Sequence, residues 1–124
     1  MKMYLLFSHK LTQEQSDDAK RLGVSEFVSL PKELQNKFSN VPPELESIGE
    51  YIKPIKEFLE QNLTSKDIVL IQGDFGVVCE IVKFCKEKKV KAVYATTKRV
   101  VKEMEKDGKK VKISEFKHIR FREY

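Results

Sequence analysis

With 124 residues, 40% of them apolar, the chain is long enough for one domain with a buried core and too apolar to be disordered. No apolar run reaches the roughly 20 residues of a membrane span, and residues 3–7 are too short for a signal peptide. We therefore expect a single cytoplasmic domain over residues 1–124 with no membrane partner.

The net charge of +5 is unevenly distributed. Residues 83–124 carry 15 Lys and Arg against 6 Asp and Glu, whereas residues 1–82 carry 9 against 13. A basic C-terminal third predicts an anionic partner, with nucleic acid or a nucleotide foremost. Solvation of an ordinary lysine-rich surface would explain the same charge by itself.

The first forty residues predict two strands and two helices. An apolar run predicts the first strand, and Thr12 with Gln15 forms a capping box that opens a polar helix. Gly23 is expected to end that helix. In chain order the expected elements are a strand at Met3–Phe7, a helix from Thr12 to about Leu22, a strand at Glu26–Leu30 and a helix at Lys32–Phe38.

The next segment predicts one long helix. Pro43 suits its first turn, and the apolar residues that follow recur at spacings of three and four, which places them on one helix face: Leu45, Ile48, Ile52, Ile55 and Leu59. Pro54 lies inside this pattern and is expected to kink the helix.

Alternating strands and helices continue in the second half. Ile68–Ile71 is an unbroken apolar run typical of a strand buried on both faces, Phe75–Lys88 predicts a helix, and Lys91–Ala95 predicts the next strand. This β-α-β order predicts a mainly parallel sheet flanked by helices, with right-handed crossovers.

The C-terminus predicts an antiparallel addition over residues 99–124. Asp107-Gly108 is a strong hairpin signal between the expected strands Val100–Lys106 and Lys109–Phe116. In the extended end at Lys117–Tyr124, strict alternation separates two sets of side chains. We expect Ile119 and Phe121 on one face and a basic stripe on the other, formed by His118, Arg120 and Arg122. The fold class is therefore α/β, a single Rossmann-like domain with a C-terminal β-hairpin.

Polar residues follow three of the predicted parallel strands, where ligands bind in open sheets. These strand ends are Ser8-His9-Lys10, Gln72-Gly73-Asp74 and Thr96-Thr97-Lys98-Arg99. The second leads through Phe75 and Gly76 into a helix, whose N-terminal N–H groups suit phosphate or another polar ligand. We expect the three ends to form one site.

Several established sites are disfavoured by spacing. The glycines fit neither a dinucleotide fingerprint nor a P-loop, and the two histidines and two cysteines lack metal-ligand spacing, so we expect no cofactor and no stable metal. Cys79 and Cys85 are expected to be buried reduced thiols.

Each candidate also has a plain structural interpretation. Asp74 stands where a helix N-cap is needed, and a carboxylate would repel phosphate. His9 is a possible proton donor or acceptor, or a surface histidine. Lys10, Lys98 and Arg99 are placed for phosphate or simply solvated, and Gly73 and Gly76 are compatible with a purely conformational role.

Four segments together resemble a family of small stand-alone CRISPR-associated proteins related to the CARF (CRISPR-associated Rossmann fold) superfamily, and the resemblance spans nearly the whole chain. They are residues 6–12, Gln72–Gly76, Ala95–Arg99 and Phe116–Arg122. The resemblance implies a CARF-like homodimer that binds a cyclic oligoadenylate, the messenger of type III CRISPR antiviral defence. Some members of the wider group are ring nucleases, which cut this messenger without metal through attack of a ribose 2′-hydroxyl.

Under this interpretation we expect cyclic tetra-adenylate as ligand and substrate. His9 would protonate the leaving oxygen, with His118 as the alternative acid, and Lys98 with Arg99 would neutralise phosphate. The remaining expected contacts are Ser8, Lys10, Gln72, Gly73, Asp74, Phe75, Gly76, Thr96, Thr97 and Arg120.

Three other functions fit the sequence. One is a sensor or sponge that holds the messenger without cutting it, and another is a structural subunit of a larger complex. The third is a basic RNA-binding module that uses Lys109–Arg122, although Phe116 and Phe121 are expected in the core rather than exposed for stacking.

Overall fold

The computed structural model describes residues 1–124, which form five strands and four helices. In chain order these are β1 (Lys2–Leu6), α1 (Gln13–Arg21), β2 (Glu26–Ser29), α2 (Lys32–Ser39), α3 (Lys53–Asn62), β3 (Ile68–Ile71), α4 (Phe75–Glu87), β4 (Lys91–Lys106) and β5 (Lys109–Glu123). The protein is thus an α/β protein with a mixed sheet flanked by helices. None of its helices has the length and apolar character needed to cross a lipid bilayer.

The strands form one sheet in the order β2-β1-β3-β4-β5. β1 pairs in parallel with β2 and β3, and β3 pairs in parallel with β4. β5 returns antiparallel along β4, as the hairpin signal predicted. From β1 the chain continues to β2 on one side and later to β3 on the other, so the switch point of the sheet lies between β1 and β3. The carboxyl ends of these two strands flank the crevice where open sheets bind ligands.

The two faces of the sheet are covered unequally. α2, α3 and α4 pack on one face around Phe38, Ile55, Leu59 and Ile81, which we call the three-helix face. α1 alone contributes a buried residue, Ala19, to the core of the other face, which we call the α1 face. The central strand β3 is buried on both faces, as its unbroken apolar run predicted.

Two helix starts confirm the local signals. Thr12 Oγ1 accepts the Gln15 N–H at 3.2 Å, and the Gln15 side chain accepts the Thr12 N–H at 3.0 Å, which completes the predicted capping box. Asp74 is the N-cap of α4, where its carboxylate accepts the Val77 N–H at 3.1 Å.

The predicted long helix from Pro43 forms only in its second half, where Ile55 and Leu59 of the apolar stripe are buried as expected. Residues 41–52 are irregular, and α3 begins only at Lys53. Pro54 therefore lies in the first turn, where its missing N–H has no helical partner to lose, and it starts the helix instead of kinking it. The apolar stripe misled because Ile52 is buried although it precedes the helix.

The strand predicted at Lys91–Ala95 is longer than expected. β4 runs without interruption through Thr96-Thr97-Lys98-Arg99 to Lys106, so the predicted strand end at these four residues does not exist. Beyond Val93, β4 has no backbone pairing to β3 and continues with β5 as a two-stranded ribbon. Asp107 and Gly108 close it with φ values of 53° and 74°, the positive pair that a type I′ turn requires. We call residues 97–117 the arm.

The predicted basic stripe of His118, Arg120 and Arg122 was wrong because β5 contains a bulge. Thr96 pairs with Arg120 and Thr97 with His118, so Ile119 has no partner and the alternation shifts by one residue. His118 consequently lies on the same face as Phe121, and their rings are 4.8 Å apart.

Burial corrects two single-residue predictions, for Phe116 and Cys79, and confirms two others, for Phe121 and Cys85. Phe121 is buried as expected, but Phe116 is 74% exposed because it lies on the arm, beyond the edge of the core. Cys85 is buried, which raises the pKa of its thiol to about 11, whereas Cys79 is exposed.

Candidate functional site

A polar cavity of about 520 Å³ lies where β1 and β2 end. The loop after β1 contributes Ser8, His9 and Lys10 to it, and β2 and α2 supply the opposite wall with Ser29, Lys32, Gln35, Asn36 and Ser39. We call this the β1-end cavity. It contains the first of the three predicted strand ends in full.

The polar groups of this cavity are partly ordered by each other. The hydroxyls of Ser8 and Ser39 are 2.9 Å apart, and the Gln35 amide donates to Ser39 Oγ at 3.0 Å and to the Phe7 carbonyl at 3.2 Å. These bonds tie the start of the loop after β1 to α2. His9 forms no side-chain hydrogen bond within the chain, and its ring meets that of Phe7 edge-on at 6.2 Å.

The charge of the β1-end cavity is one-sided. Lys10 and Lys32 line it together with His9, and no Asp or Glu does. Two cations without a competing carboxylate favour an anionic ligand, because no like charge in the lining repels it. Hydroxyl and amide groups beside the cations provide donors for phosphate or sugar oxygens.

The second strand end lies in a different cavity. Gln72, Gly73 and Phe75 line a space of about 510 Å³ together with Tyr94 and Tyr124. The two tyrosine rings are 4.8 Å apart, and Phe75 is 91% exposed at the first position of α4. This cavity is aromatic where the β1-end cavity is cationic.

Phe38 of α2 packs against the backbone at Gly73, which lines the aromatic cavity. A Cβ placed on Gly73 would lie 3.0 Å from Phe38 Cζ, and Phe38 is itself buried. Gly73 is therefore required for this close approach, as its conformational interpretation suggested. The Gln72 N–H donates to the Leu6 carbonyl at 3.1 Å, so β1 and β3 do end side by side.

The Gln72 side chain has a structural partner: its Oε1 accepts the Ala95 N–H at 2.9 Å, just beyond the last backbone pair of β3 with β4. Asp74 is held as the α4 cap. A Cβ on Gly76 would meet the Asp74 carboxylate at 3.4 Å and Ile48 Cδ1 at 3.6 Å, so Gly76 lies under the segment that precedes α3.

The third predicted strand end is not a strand end. Thr96 bonds across the ribbon to both the N–H and the carbonyl of Arg120, at 3.2 and 2.8 Å. Arg99 donates to Ser114 Oγ at 2.9 and 3.1 Å from two of its nitrogens. Thr97, Lys98 and Arg99 are exposed on the arm and line neither of the two cavities. The three groups expected in one site are thus separated within a single chain.

His118 faces α1 instead of the strand ends. Its side chain is 4% exposed, and Nε2 lies 2.9 Å from Asp18 Oδ2. Burial by itself would raise the pKa of the Asp18 carboxyl, but hydrogen bonds from His118 and Arg21 hold that pKa below its usual value. The pair fastens the base of the arm to the body.

Sequence reasoning missed Lys32, Gln35 and Ser39, the α2 wall of the β1-end cavity. Polar residues recur along α2, the helix that directly follows the parallel strand β2. This recurrence is the only signal in the sequence that pointed to the α2 wall. No three His, Cys, Asp or Glu side chains come together in a way that would hold a metal ion.

Comparison with known proteins adds a family to this geometry. A family model described as the Uncharacterized protein MJ1673 family matches residues 1–122. The chain belongs to the MJ1673 family. It is 55% identical over 124 residues to the protein MJ1673 of Methanocaldococcus jannaschii, covering 99% of this chain and 96% of that protein. Since the match extends from β1 through β5, the arm is within the region shared with MJ1673. No solved structure matches the chain.

Proposed function

We propose that the protein is a CARF-like, Rossmann-type homodimer that binds cyclic tetra-adenylate and cleaves it without metal, thereby switching off type III CRISPR signalling. The observation that carries the proposal is the β1-end cavity, which combines Lys10, Lys32 and His9 with hydroxyl and amide donors and has no carboxylate in its lining. It lies beyond the carboxyl ends of two parallel strands, β1 and β2, one strand away from the switch point between β1 and β3 where open sheets usually bind ligands.

A cyclic tetranucleotide suits two copies of such a cavity. The ring carries a phosphodiester charge at each of its nucleotides, and a two-fold dimer presents each cation twice. A cavity of about 520 Å³ per chain is in the range for a small ligand, so each chain would hold part of the ring. The aromatic cavity at Gln72, Gly73 and Phe75 offers flat surfaces for adenine.

The chemistry needs little from the protein. A ribose 2′-hydroxyl gives its proton to water as its oxygen attacks the adjacent phosphorus, the bond from phosphorus to the 5′-oxygen breaks, and the products end in a 2′,3′-cyclic phosphate. His9 donates a proton to the leaving 5′-oxygen, and Lys10 stabilises the charge on the phosphorus oxygens. Lys98 and Arg99 line neither cavity of their own chain, so in this proposal they supply further positive charge from the arm of the second chain. Holding the three atoms in line provides much of the acceleration.

Binding without cleavage is the second candidate, and one observation favours it. His9 is exposed and no hydrogen bond within the chain orients it, whereas general acids are usually held by a partner. In a sensor or sponge the β1-end cavity and the dimer would be unchanged, and only the reaction would be absent.

An RNA-binding module is the third candidate. The arm carries eight Lys and Arg against four Asp and Glu, and Phe116 is 74% exposed among them. This combination of cations and an exposed aromatic ring suits single-stranded RNA. It predicts a steep loss of affinity for linear RNA with added salt.

Incubation with labelled cyclic tetra-adenylate in the presence of EDTA, and in parallel with labelled linear RNA, separates the three. The proposal predicts linear products with 2′,3′-cyclic phosphate ends, formed at least about tenfold more slowly by His9→Ala and by Lys98→Ala. Lys66→Ala, far from both cavities at the opposite strand ends, is the matched control and should react as the wild type does. Tight binding of an intact ring would favour the sensor, and binding of linear RNA alone would favour the RNA module.

A further inference from the structure

The arm is a two-stranded ribbon without a core of its own. Ten residues of β4, Thr97 to Lys106, pair with β5 there, which gives a length of roughly 33 Å. Isolated two-stranded hairpins are marginally stable in water and normally need a third strand or a packed layer. Something is therefore expected to cover one face of the arm.

The side chains of the arm divide by the cross-strand register. Tyr94 belongs to the three-helix face, so alternation places Val100 and Met104 on that side of β4. Val111 pairs directly with Met104, and Ile113 follows two residues later on the same side. These four residues form one contiguous apolar patch. The side chains of Met104, Val111 and Ile113 are exposed to solvent.

Lysines surround this patch on the same side of the ribbon. The register places Lys98, Lys102, Lys106, Lys109 and Lys117 there, against a single acid, Glu115. Glu115 is already paired with Lys102 at 3.3 Å, so the other four lysines have no ion-pair partner within the chain. We call this side the basic face of the arm. An occupant should be apolar and acidic.

The chain itself contains a surface of that kind. The irregular segment 41–52 has three Glu and no Lys or Arg, and Glu44, Glu46 and Glu50 are exposed without an ion pair. Leu45 is exposed beside them. Ile48 contacts the first turn of α4 at Gly76, so the segment lies at the same edge of the sheet as the base of the arm.

We propose that the basic face of the arm docks on residues 41–52 of a second copy of the chain, and that the exchange is reciprocal about a two-fold axis. The apolar patch then meets Leu45, and the unpaired lysines meet the unpaired glutamates. The inference rests on the homodimer of the proposed function but not on the identity of its ligand.

Area and charge both favour the exchange over packing of arm against arm. A ribbon roughly 33 Å long and 10 Å wide has about 330 Å² on one face. Two arms packed on each other would bury about 660 Å² in total, below the roughly 1,200 Å² of stable interfaces, and would juxtapose lysines. A reciprocal exchange buries four such surfaces, about 1,300 Å² in total.

Charge-swap complementation tests the inference by sedimentation of the full chain without ligand. The wild type should be dimeric. Lys106→Glu with Lys109→Glu should weaken dimerisation at least about tenfold, and so should Glu44→Lys with Glu46→Lys, because each turns an attractive contact into a repulsive one at both symmetry-related contacts. Mixing the two variants should restore a dimer, since both contacts are then attractive. Lys110→Gln with Lys112→Gln, on the opposite side of the same ribbon, is the control and should remain dimeric, because it creates no like-charge pair with Glu105 and Glu103 across the strands.

A monomeric wild type, a dimer that survives either double substitution, or a mixture that stays monomeric would overturn the proposal. An arm variant that dimerises as tightly with wild type as with the segment variant would establish packing of arm against arm instead. If complementation succeeds while cyclic tetra-adenylate does not bind, the interface stands and the proposed ligand falls.

Discussion

The two parts of β4 lie in different environments: the first is packed in the body of the protein and the second is exposed on the arm. The first part, Lys91–Ala95, lies between the body helices with Ala92 and Val93 buried. The second part is the arm, where every residue from Lys102 to Lys106 is exposed. Stability therefore resides in the body, whereas the arm is free to serve interaction. Substitutions of the same kind should have opposite consequences in the two regions.

The largest expected difference is between two aliphatic truncations. Leu70→Ala removes a fully buried side chain from the central strand and should lower the free energy of unfolding by about 3–5 kcal/mol. Ile113→Ala on the arm should lower it by less than about 0.5 kcal/mol at concentrations where the chain is monomeric. Urea unfolding of both variants measures this, and similar losses would contradict the separation of body and arm.

A smaller effect is expected where α2 closes on the strand ends. Gly73→Ala brings a Cβ to 3.0 Å from the buried Phe38 ring, and the resulting overpacking should cost about 1–3 kcal/mol. Gly49→Ala is the matched control, because a Cβ there meets nothing within 4 Å and its φ is not positive. Equal stability of the two variants would show that Phe38 does not pack on Gly73.

The cap of α4 comes next. Asp74→Ala removes the acceptor for the Val77 N–H and should cost about 1 kcal/mol. Asp74→Asn or Asp74→Ser should recover most of that loss, because both side chains cap helices. A fully stable Asp74→Ala variant that no longer binds cyclic tetra-adenylate would assign Asp74 to the ligand instead.

The smallest effect is a pH dependence at the base of the arm. The pKa of Asp18 is lowered in the folded protein, so its carboxylate contributes stability above its ordinary pKa of 3.8, and this contribution is lost as the pH falls through the folded value. Wild type should exceed Asp18→Asn in stability at pH 6, and the difference should shrink below pH 4. A difference that grows in acid would reverse the assigned sign.

Local signals in the sequence predicted the body well. The capping box at Thr12, the cap at Asp74, the buried run of β3 and the Asp107-Gly108 turn are all confirmed, because each depends on residues close together in the chain. The fold class follows from the alternation of these elements.

The errors arose where tertiary structure overrides a pattern. The bulge opposite Thr96 and Thr97 leaves no mark in the sequence, yet it moves His118 to the α1 face. The apolar residues from Leu45 to Ile52 have helical spacing although their backbone is irregular. Ile52 is buried from this irregular segment, so its match to the helical period is a coincidence. The polar residues from Thr96 onward suggested that the strand ends there. The strand in fact continues, and its residues are polar because the ribbon is exposed and needs no apolar side chains.

The candidate site was predicted in part. Ser8, His9 and Lys10 do line a cavity at the ends of parallel strands, but its α2 wall was missed and the aromatic cavity is separate. Which strand end meets which helix depends on how α2 packs at Phe38, and that contact is long-range in sequence.

Isothermal titration of cyclic tetra-adenylate into wild type and Lys10→Ala tests the central claim most directly. The account predicts saturable binding by wild type with one ring per two chains, and at least about tenfold weaker binding by Lys10→Ala. Absence of binding by wild type, or an affinity that Lys10→Ala leaves unchanged, would contradict a nucleotide site at the end of β1.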